Sequence, residues 1–173
     1  MDKISLGSAT IAPLGEVWVA VTENGLLRLE YPSTAEKFKA VVSKDTSAEL
    51  VLDEKKTQPV LEQVREYVAG RRKEFTLQID WTGVGDFQRS ALEATAKIPY
   101  GATATYKQIA EQAGKPNGAR AAGRAEATNR VPLVIPCHRV LGSDGKLHGY
   151  GAGNGLATKE WLLKHEQENL KTG

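Results

Sequence analysis

Residues 105–140 read TYKQIAEQAGKPNGARAAGRAEATNRVPLVIPCHRV, and three signals follow one another in that stretch. Thr105 and Gln108 have the spacing of a capping box, a hydroxyl at the N-cap and an amide three residues on. They open a helix, YKQIAEQAG, that Gly114 ends. GKPN is a tight turn, and a second helix follows in GARAAGRAEATN. Two short helices about a glycine-containing turn have the pattern of a helix-turn-helix. The second helix is slim. Ala119, Ala121, Ala122, Gly123 and Ala125 give it almost no side-chain bulk, and Arg120 and Arg124 project from it. The stretch closes on an apolar strand, VPLVIPCHRV, with Cys137 held between Pro136 and His138.

Outward from this stretch, the second half of the chain reads as mostly helical. Asp86 caps a helix over FQRSALEATAKI that Pro99 and Gly101 stop. Asp144-Gly145 is a two-residue turn signal. GYGAGNG is a glycine-rich loop, and LATKEWLLKHEQENL is a final helix. The first half differs. SATIAP, EVWVAVT and LLRLEYP favour strands, and Asn24-Gly25 punctuates the last two as a hairpin. The polar stretch STAEKFKAVVSKDTSAEL is weakly helical. TQPVLEQVREYVAG is a clearer helix, with Pro59 in its first turn, an apolar stripe through Val60, Leu61, Val64, Tyr67 and Val68, and a stop at Gly70. FTLQIDW alternates like a short strand. TGVGD, residues 82–86, is the expected junction. Two domains follow: residues 1–85, a small α/β domain with an antiparallel sheet, and residues 86–173, a mostly helical domain.

The bulk composition excludes several classes. A chain of 173 residues with 40% hydrophobic and 25% charged residues is an ordinary globular one, not a disordered one. One cysteine makes no internal disulfide and no multi-thiolate zinc site, and an unpaired thiol fits a reducing, cytoplasmic compartment. The start of the chain lacks a basic region followed by an apolar run, and no window of apolar residues is long enough for a span, so neither a signal peptide nor a membrane segment is expected. Residues 1–85 hold 11 Lys+Arg against 13 Asp+Glu, and residues 86–173 hold 12 against 8. The basic excess lies in the half with Cys137. It suits a phosphate backbone, and it equally suits an ordinary solvated surface.

A thiol is a strong nucleophile only as a thiolate, and a histidine or a positive field lowers its pKa. His138 is adjacent, although neighbours on a strand face opposite ways unless a turn or a water intervenes. Pro136 removes a backbone donor and stiffens the approach. Glu166 shares the apolar face of the last helix with Leu162 and Leu163, where a carboxylate is rarely left unpaired, so it is the candidate to orient His138. A buried, inert cysteine and a satisfied core histidine remain the alternative reading of the same residues.

TYKQIAEQAGKP, ARAAG, ATN with Asn129, IPCHRV, DGKLHGY and KEWLLKHE stand in the order, and at close to the spacing, of the O6-alkylguanine-DNA alkyltransferases, and APLGEVWVAVTENGLLRLEY is similar to their N-terminal part. The resemblance covers most of the chain and is densest from Phe87 to Glu166. It implies a ribonuclease-H-like first domain and a DNA-binding, alkyl-accepting second domain. It implies an irreversible, single-turnover repair protein that flips an alkylated guanine out of double-stranded DNA and moves the alkyl group to Cys137. His138 would act through a water as base, with Glu166 orienting it. Tyr106 would donate to the base's N3. Arg120 would fill the gap left in the duplex, with Ala119, Ala121, Gly123 and Arg124 against the minor groove. Asn129 would tie the recognition helix to the active-site turn. Pro136, Tyr150, Gly151 and the carbonyls of Cys137 and Val140 would wall the base pocket. Neither a metal nor a diffusible cofactor is implied, since the alkyl donor is DNA, and a monomer is expected, cytoplasmic or, in a eukaryote, nuclear. O4-alkylthymine is a second expected substrate.

The physics agrees with this reading. Base flipping costs a few kcal/mol, a slim helix can enter a narrow groove, and minor-groove contacts read little sequence. The chain departs from the family pattern in places. Arg130 stands where many relatives carry proline, and Leu92 near a frequent tryptophan. The glycine-rich loop is about two residues longer than in some relatives. Glu126 is expected near passing phosphates or facing away from them. Three other functions compete with this one. A damage sensor lacking the acceptor carries another residue at the cysteine position. A cysteine hydrolase needs a remote histidine, for which only His148 and His165 remain. A helix-turn-helix regulator needs base-reading polar side chains, in which ARAAGRAEA is poor.

Overall fold

The computed structural model describes residues 2–147 and 150–170, so His148 and Gly149 of the DGKLHGY motif lie outside the described residues. Contacts divide the chain into two units, Met1–Gly83 and Val84–Gly173.

The first unit is built on a four-stranded sheet in the order β3-β2-β1-β4, from β1 (Lys3–Ile11), β2 (Gly15–Thr22), β3 (Gly25–Glu30) and β4 (Glu49–Leu52). The first three pair antiparallel, with Leu6 opposite Ala20 and Val19 opposite Leu29. β4 joins β1 in parallel, Ile4 beside Leu50, so the sheet is mixed. This fourth strand is not legible in the polar stretch that contains it. Helix α1 (Ala35–Ser43) lies between β3 and β4 and supplies the crossover that a parallel pair needs. Alternation along the strands gives the sheet two apolar faces. Leu6, Trp18 and Ala20 pack with Phe38 and Val42 of α1. Gly7, of opposite parity, faces α2 (Glu54–Val68), where a Cβ would run into the Thr57 side chain.

Pro59 is not in the first turn of α2. Asp53 caps that helix, its carboxylate accepting from Lys56 N at 3.2 Å, with Glu54 in the first turn. The capping bond and the helix dipole set the start earlier than proline alone implies. FTLQIDW forms only one bridge, Leu26 with Ile79. Asp80 turns its carboxylate to the Thr22 hydroxyl, at 2.5 Å, and to Thr82 N, which ends the pairing.

The second unit holds α3 (Asp86–Ala96), α4 (Tyr106–Gln112), α5 (Ala119–Ala127) and α6 (Leu156–Leu170), with two short strands, β5 (Ala104–Thr105) and β6 (Val140–Leu141). Its core is made of small side chains. Ala91, Ala94, Ala110, Ala122 and Ala125 let α3, α4 and α5 close around Ile98, Ile109 and Val140. The capping box at Thr105 is present in both halves: Gln108 N donates to Thr105 Oγ1 at 3.1 Å, and Thr105 N donates to Gln108 Oε1 at 2.8 Å. Asp86 is not a cap. Gly85 holds that position with extended backbone and no side-chain bond, and Asp86 contributes its charge inside the first turn. β5 and β6 pair in parallel, Ala104 with Val140 and Thr105 with Leu141. That pairing sets the start of α4 beside the segment that carries Cys137.

Candidate active site

Cys137 does not sit on a strand. Pro136 has φ −79° and ψ 64°, and Cys137 N donates to Ile135 O at 2.8 Å, which makes Pro136 the centre of an inverse γ-turn. The proline ring fixes φ close to that value in advance. A 3-10 turn, Cys137–Arg139, follows, with Arg139 N donating to Pro136 O at 2.9 Å. The expected strand is broken because the Pro136 nitrogen has no hydrogen to give a ladder. Asn129 staples this segment to the end of α5. Its Nδ2 donates to Ile135 O and its Oδ1 accepts from Val131 N, both at 3.0 Å. Between those anchors Leu133 takes φ 78°, the one non-glycine residue in the left-handed region among the described residues.

His138 and Glu166 are both fully buried and meet through Nε2 and Oε2 at 2.8 Å. Glu166 also accepts from Arg139 Nε and Nη2, each at 2.9 Å, and from Gly101 N at 3.1 Å. Arg139 Nη1 donates to Ile98 O at 2.7 Å. Burial pushes the Glu166 carboxyl up, but the hydrogen bonds and charges of His138 and Arg139 outweigh it and hold it well below the usual carboxylate range. Burial lowers the His138 pKa, although Glu166 pulls the other way. A neutral imidazole beside an ionised carboxylate keeps its proton on Nε2. Nδ1 is then a bare lone pair, buried and without a hydrogen-bond partner among the described residues. That is the electronic state of a general base.

Cys137 is 8% exposed. Burial pushes its thiol up to about 12, with Glu126 adding to the shift and Asn129 and Lys159 opposing it. The resting group is therefore a thiol, and a thiolate has to be made by moving its proton to a base.

Sequence reasoning missed three members of this cluster. Lys159 on α6 is completely buried, donates from Nζ to Val140 O at 2.8 Å, and lies 5.9 Å from the centre of the Tyr106 ring. Burial lowers its pKa, while Cys137 and Glu126 support its charge. Arg139 closes on Glu166 as described. Glu126 takes the second of its two expected placements and turns away from the surface: it is 6% exposed and meets the Thr95 hydroxyl of α3. Burial pushes its carboxyl up to about 8. A face signal existed for Lys159. It lies three residues before Leu162 and seven before Glu166, on the stripe that singled out Glu166.

Tyr106, the first residue of α4, is half-buried, and burial followed by Glu126 and Cys137 raises its pKa, so it keeps its proton to donate. It also lines an open groove of about 810 Å³, with Lys107, Asn117, Ala119, Arg120 and Gly123. Arg120 and Arg124 are exposed, and Ala121 is partly exposed. Tyr106 thus joins the groove to the buried cluster. Gly151 lies apart, against the end of α5: a Cβ there would stand 3.5 Å from Ala127 O. Tyr150 is half-buried in the same loop, its carbonyl near Gly155. Among the described residues no group of three His, Cys, Asp or Glu side chains could hold a metal ion, and no helix is long and apolar enough to cross a membrane.

Two family models match the chain. The 6-O-methylguanine DNA methyltransferase ribonuclease-like domain covers residues 9–81, and the DNA-binding domain of the same family covers residues 86–168. A methylated-DNA–protein-cysteine methyltransferase of Methanosarcina barkeri is 39% identical over 92% of this chain and 96% of its own length. One of Mycolicibacterium paratuberculosis is 46% identical over 63% of this chain and 64% of its own. The crystal structure of Mycobacterium tuberculosis OGT in complex with DNA superposes with a TM-score of 0.80 at 32% identity, over 95% of this chain and 94% of that one.

Proposed function

The chain belongs to the 6-O-methylguanine DNA methyltransferase family, and from that premise we propose that it repairs O6-alkylguanine in double-stranded DNA by taking the alkyl group onto Cys137, once per molecule. The observation that carries the reading is the buried His138–Glu166–Arg139 arrangement on the turn of the molecule's one cysteine. Cys137 gives its proton through a bridging water to His138 Nδ1. Glu166 holds the ring by Nε2 and balances the imidazolium that forms. The thiolate displaces guanine from the alkyl carbon: the S–C bond forms, the C–O6 bond breaks, and the electron pair stays on O6. Tyr106 donates its proton to N3 of the leaving base, which makes guanine the better leaving group. The product is an S-alkyl cysteine, and no group in the site reverses it.

Residues 86–173 carry both DNA binding and chemistry in this reading, and residues 1–85 are structural. Ala119, Ala121 and Gly123 let α5 into the minor groove, Arg120 fills the space left by the flipped nucleotide, and Arg124 meets the backbone. Asn129 holds the acceptor turn. Pro136, Tyr150, Gly151 and the carbonyls of Cys137 and Val140 wall the base; the Val140 carbonyl shares its oxygen with Lys159. O4-alkylthymine is a second, weaker substrate. A single unpaired thiol that must stay reduced to work supports a reducing compartment, the cytoplasm or the nucleus of a eukaryote.

The test is intact mass after mixing with a duplex containing O6-methylguanine. A gain of one methylene, mapped to Cys137 and absent in Cys137→Ser, is the expected result. Binding without any gain in mass contradicts it.

A further inference from the structure

Glu126 is an ionisable group of the cluster to which the proposed reaction gives no part. It stands on α5 and is 6% exposed, facing Thr95 of α3, Tyr106 of α4, Cys137 of the acceptor turn and Lys159 of α6. Its surroundings suit a protonated carboxyl. The Thr95 hydroxyl donates to Ala91 O at 2.9 Å and also meets Glu126 Oε1 in a short contact. A hydroxyl has one hydrogen and cannot give it to both. Both contacts are satisfied when Thr95 donates to Ala91 and Glu126 brings a proton of its own to Thr95. Glu126 Oε2 is buried with no hydrogen-bond partner among the described residues. An ionised carboxylate left that way is costly, and a neutral acid is much less so.

We propose that Glu126 is a positioning residue that acts in its protonated form: as a neutral acid it leaves the Lys159 ammonium to the Cys137 thiolate, and its ionisation switches alkyl transfer off. The inference rests on the function proposed above. The electrostatics have the required sign. An ionised Glu126 raises the pKa of both Cys137 and Tyr106, since each would add a second negative charge to one buried space. It also draws on the Lys159 charge that Cys137 uses. Burial pushes Glu126 up to about 8, so the neutral form prevails at neutral pH and is lost just above it.

The experiment is the single-turnover transfer rate from an O6-methylguanine duplex, taken from about pH 6 to about pH 10 for the wild type and for Glu126→Gln. The ratio of the two rates cancels every pH effect that does not depend on Glu126. That ratio is expected to rise by about tenfold or more between about pH 7 and about pH 9.5. A flat ratio overturns the inference and marks Glu126 as structural only. If Glu126→Gln does not fold, Glu126→Met, unbranched and of similar size, makes the same comparison. A carboxyl NMR titration of Cys137→Ser protein reads Glu126 itself, and a midpoint in the ordinary carboxylate range also overturns it. A wild type that transfers nothing even at neutral pH sinks the repair function instead, so the two failures are distinguishable.

Discussion

Arg139 and His138 divide the Glu166 carboxylate between them: Arg139 takes both oxygens at 2.9 Å, and His138 Nε2 reaches Oε2 at 2.8 Å. One acid therefore ties the acceptor turn to α6 and fixes the histidine tautomer. Glu166→Gln keeps the shape and removes the charge. It leaves the buried Arg139 cation uncompensated, which costs about 3 to about 5 kcal/mol. It also removes the group that balances imidazolium, so transfer is expected to slow by about 10²-fold or more. Denaturant unfolding and single-turnover rates check the two effects separately. A variant as stable and as fast as the wild type contradicts the assignment.

Two carboxylates of the site give opposite pH dependence. Glu166 has a folded pKa below its unfolded value of about 4.3, so its contribution is fully present above that pH and fades as the pH falls below it. Glu126 has a folded pKa of about 8, so it binds a proton more tightly folded than unfolded. Its contribution is present below about pH 4.3 and is lost as the pH rises towards 8. Glu126→Gln should gain stability over the wild type by a few kcal/mol on going from about pH 5 to about pH 8, read by urea unfolding at both. A difference that does not change with pH contradicts the buried neutral acid.

Substitutions at Gly123 and Arg120 test the proposed DNA contact separately from folding. A Cβ at Gly123 meets only the Tyr106 ring, at 4.0 Å, and alanine is a better helix former by about 1 kcal/mol. Gly123→Ala should raise the melting temperature. Gly123→Leu should keep the fold and bind duplex DNA at least about tenfold more weakly, a loss of about 1.4 kcal/mol, because its bulk stands between α5 and the groove. Arg120→Ala should slow repair in a duplex by about tenfold to about a hundredfold, and slow transfer from a single-stranded lesion far less, since only the duplex demands flipping. An equal loss on both substrates removes Arg120 from the flipping step.

The repaired protein should be less stable than the free one. Cys137 is 8% exposed, with Asn129, Lys159 and Glu126 around it, and an added alkyl group overfills that space. Calorimetry of the methylated form should show a lower melting temperature; an equal or higher one contradicts the tight acceptor site.

Several local features of this fold were legible in sequence, although the Asp86 cap and the place of Pro59 were misread. The capping box at Thr105 and Gln108, the hairpin at Asn24-Gly25 and the extent of α6 depend on a few adjacent residues, and each is found as read. Cys137, His138 and Glu166 were legible because an acid on an apolar face implies a partner. Features set by distant contacts were not. β4 is four residues long and owes its place to β1. FTLQIDW alternates correctly, yet Asp80 turns away to Thr22. Lys159, Arg139 and Glu126 are ionisable side chains that composition assigns to solvent, and only the packing of α3, α5 and α6 around the acceptor turn buries them.

The central claim is one alkyl group per molecule, with Cys137 as its final owner. It is tested most directly by counting restored guanines when O6-methylguanine duplex is in large excess over protein. The expected course is a rise that stops at one equivalent and does not resume. Continued turnover past one equivalent, or a plateau at zero with the lesion bound, contradicts it.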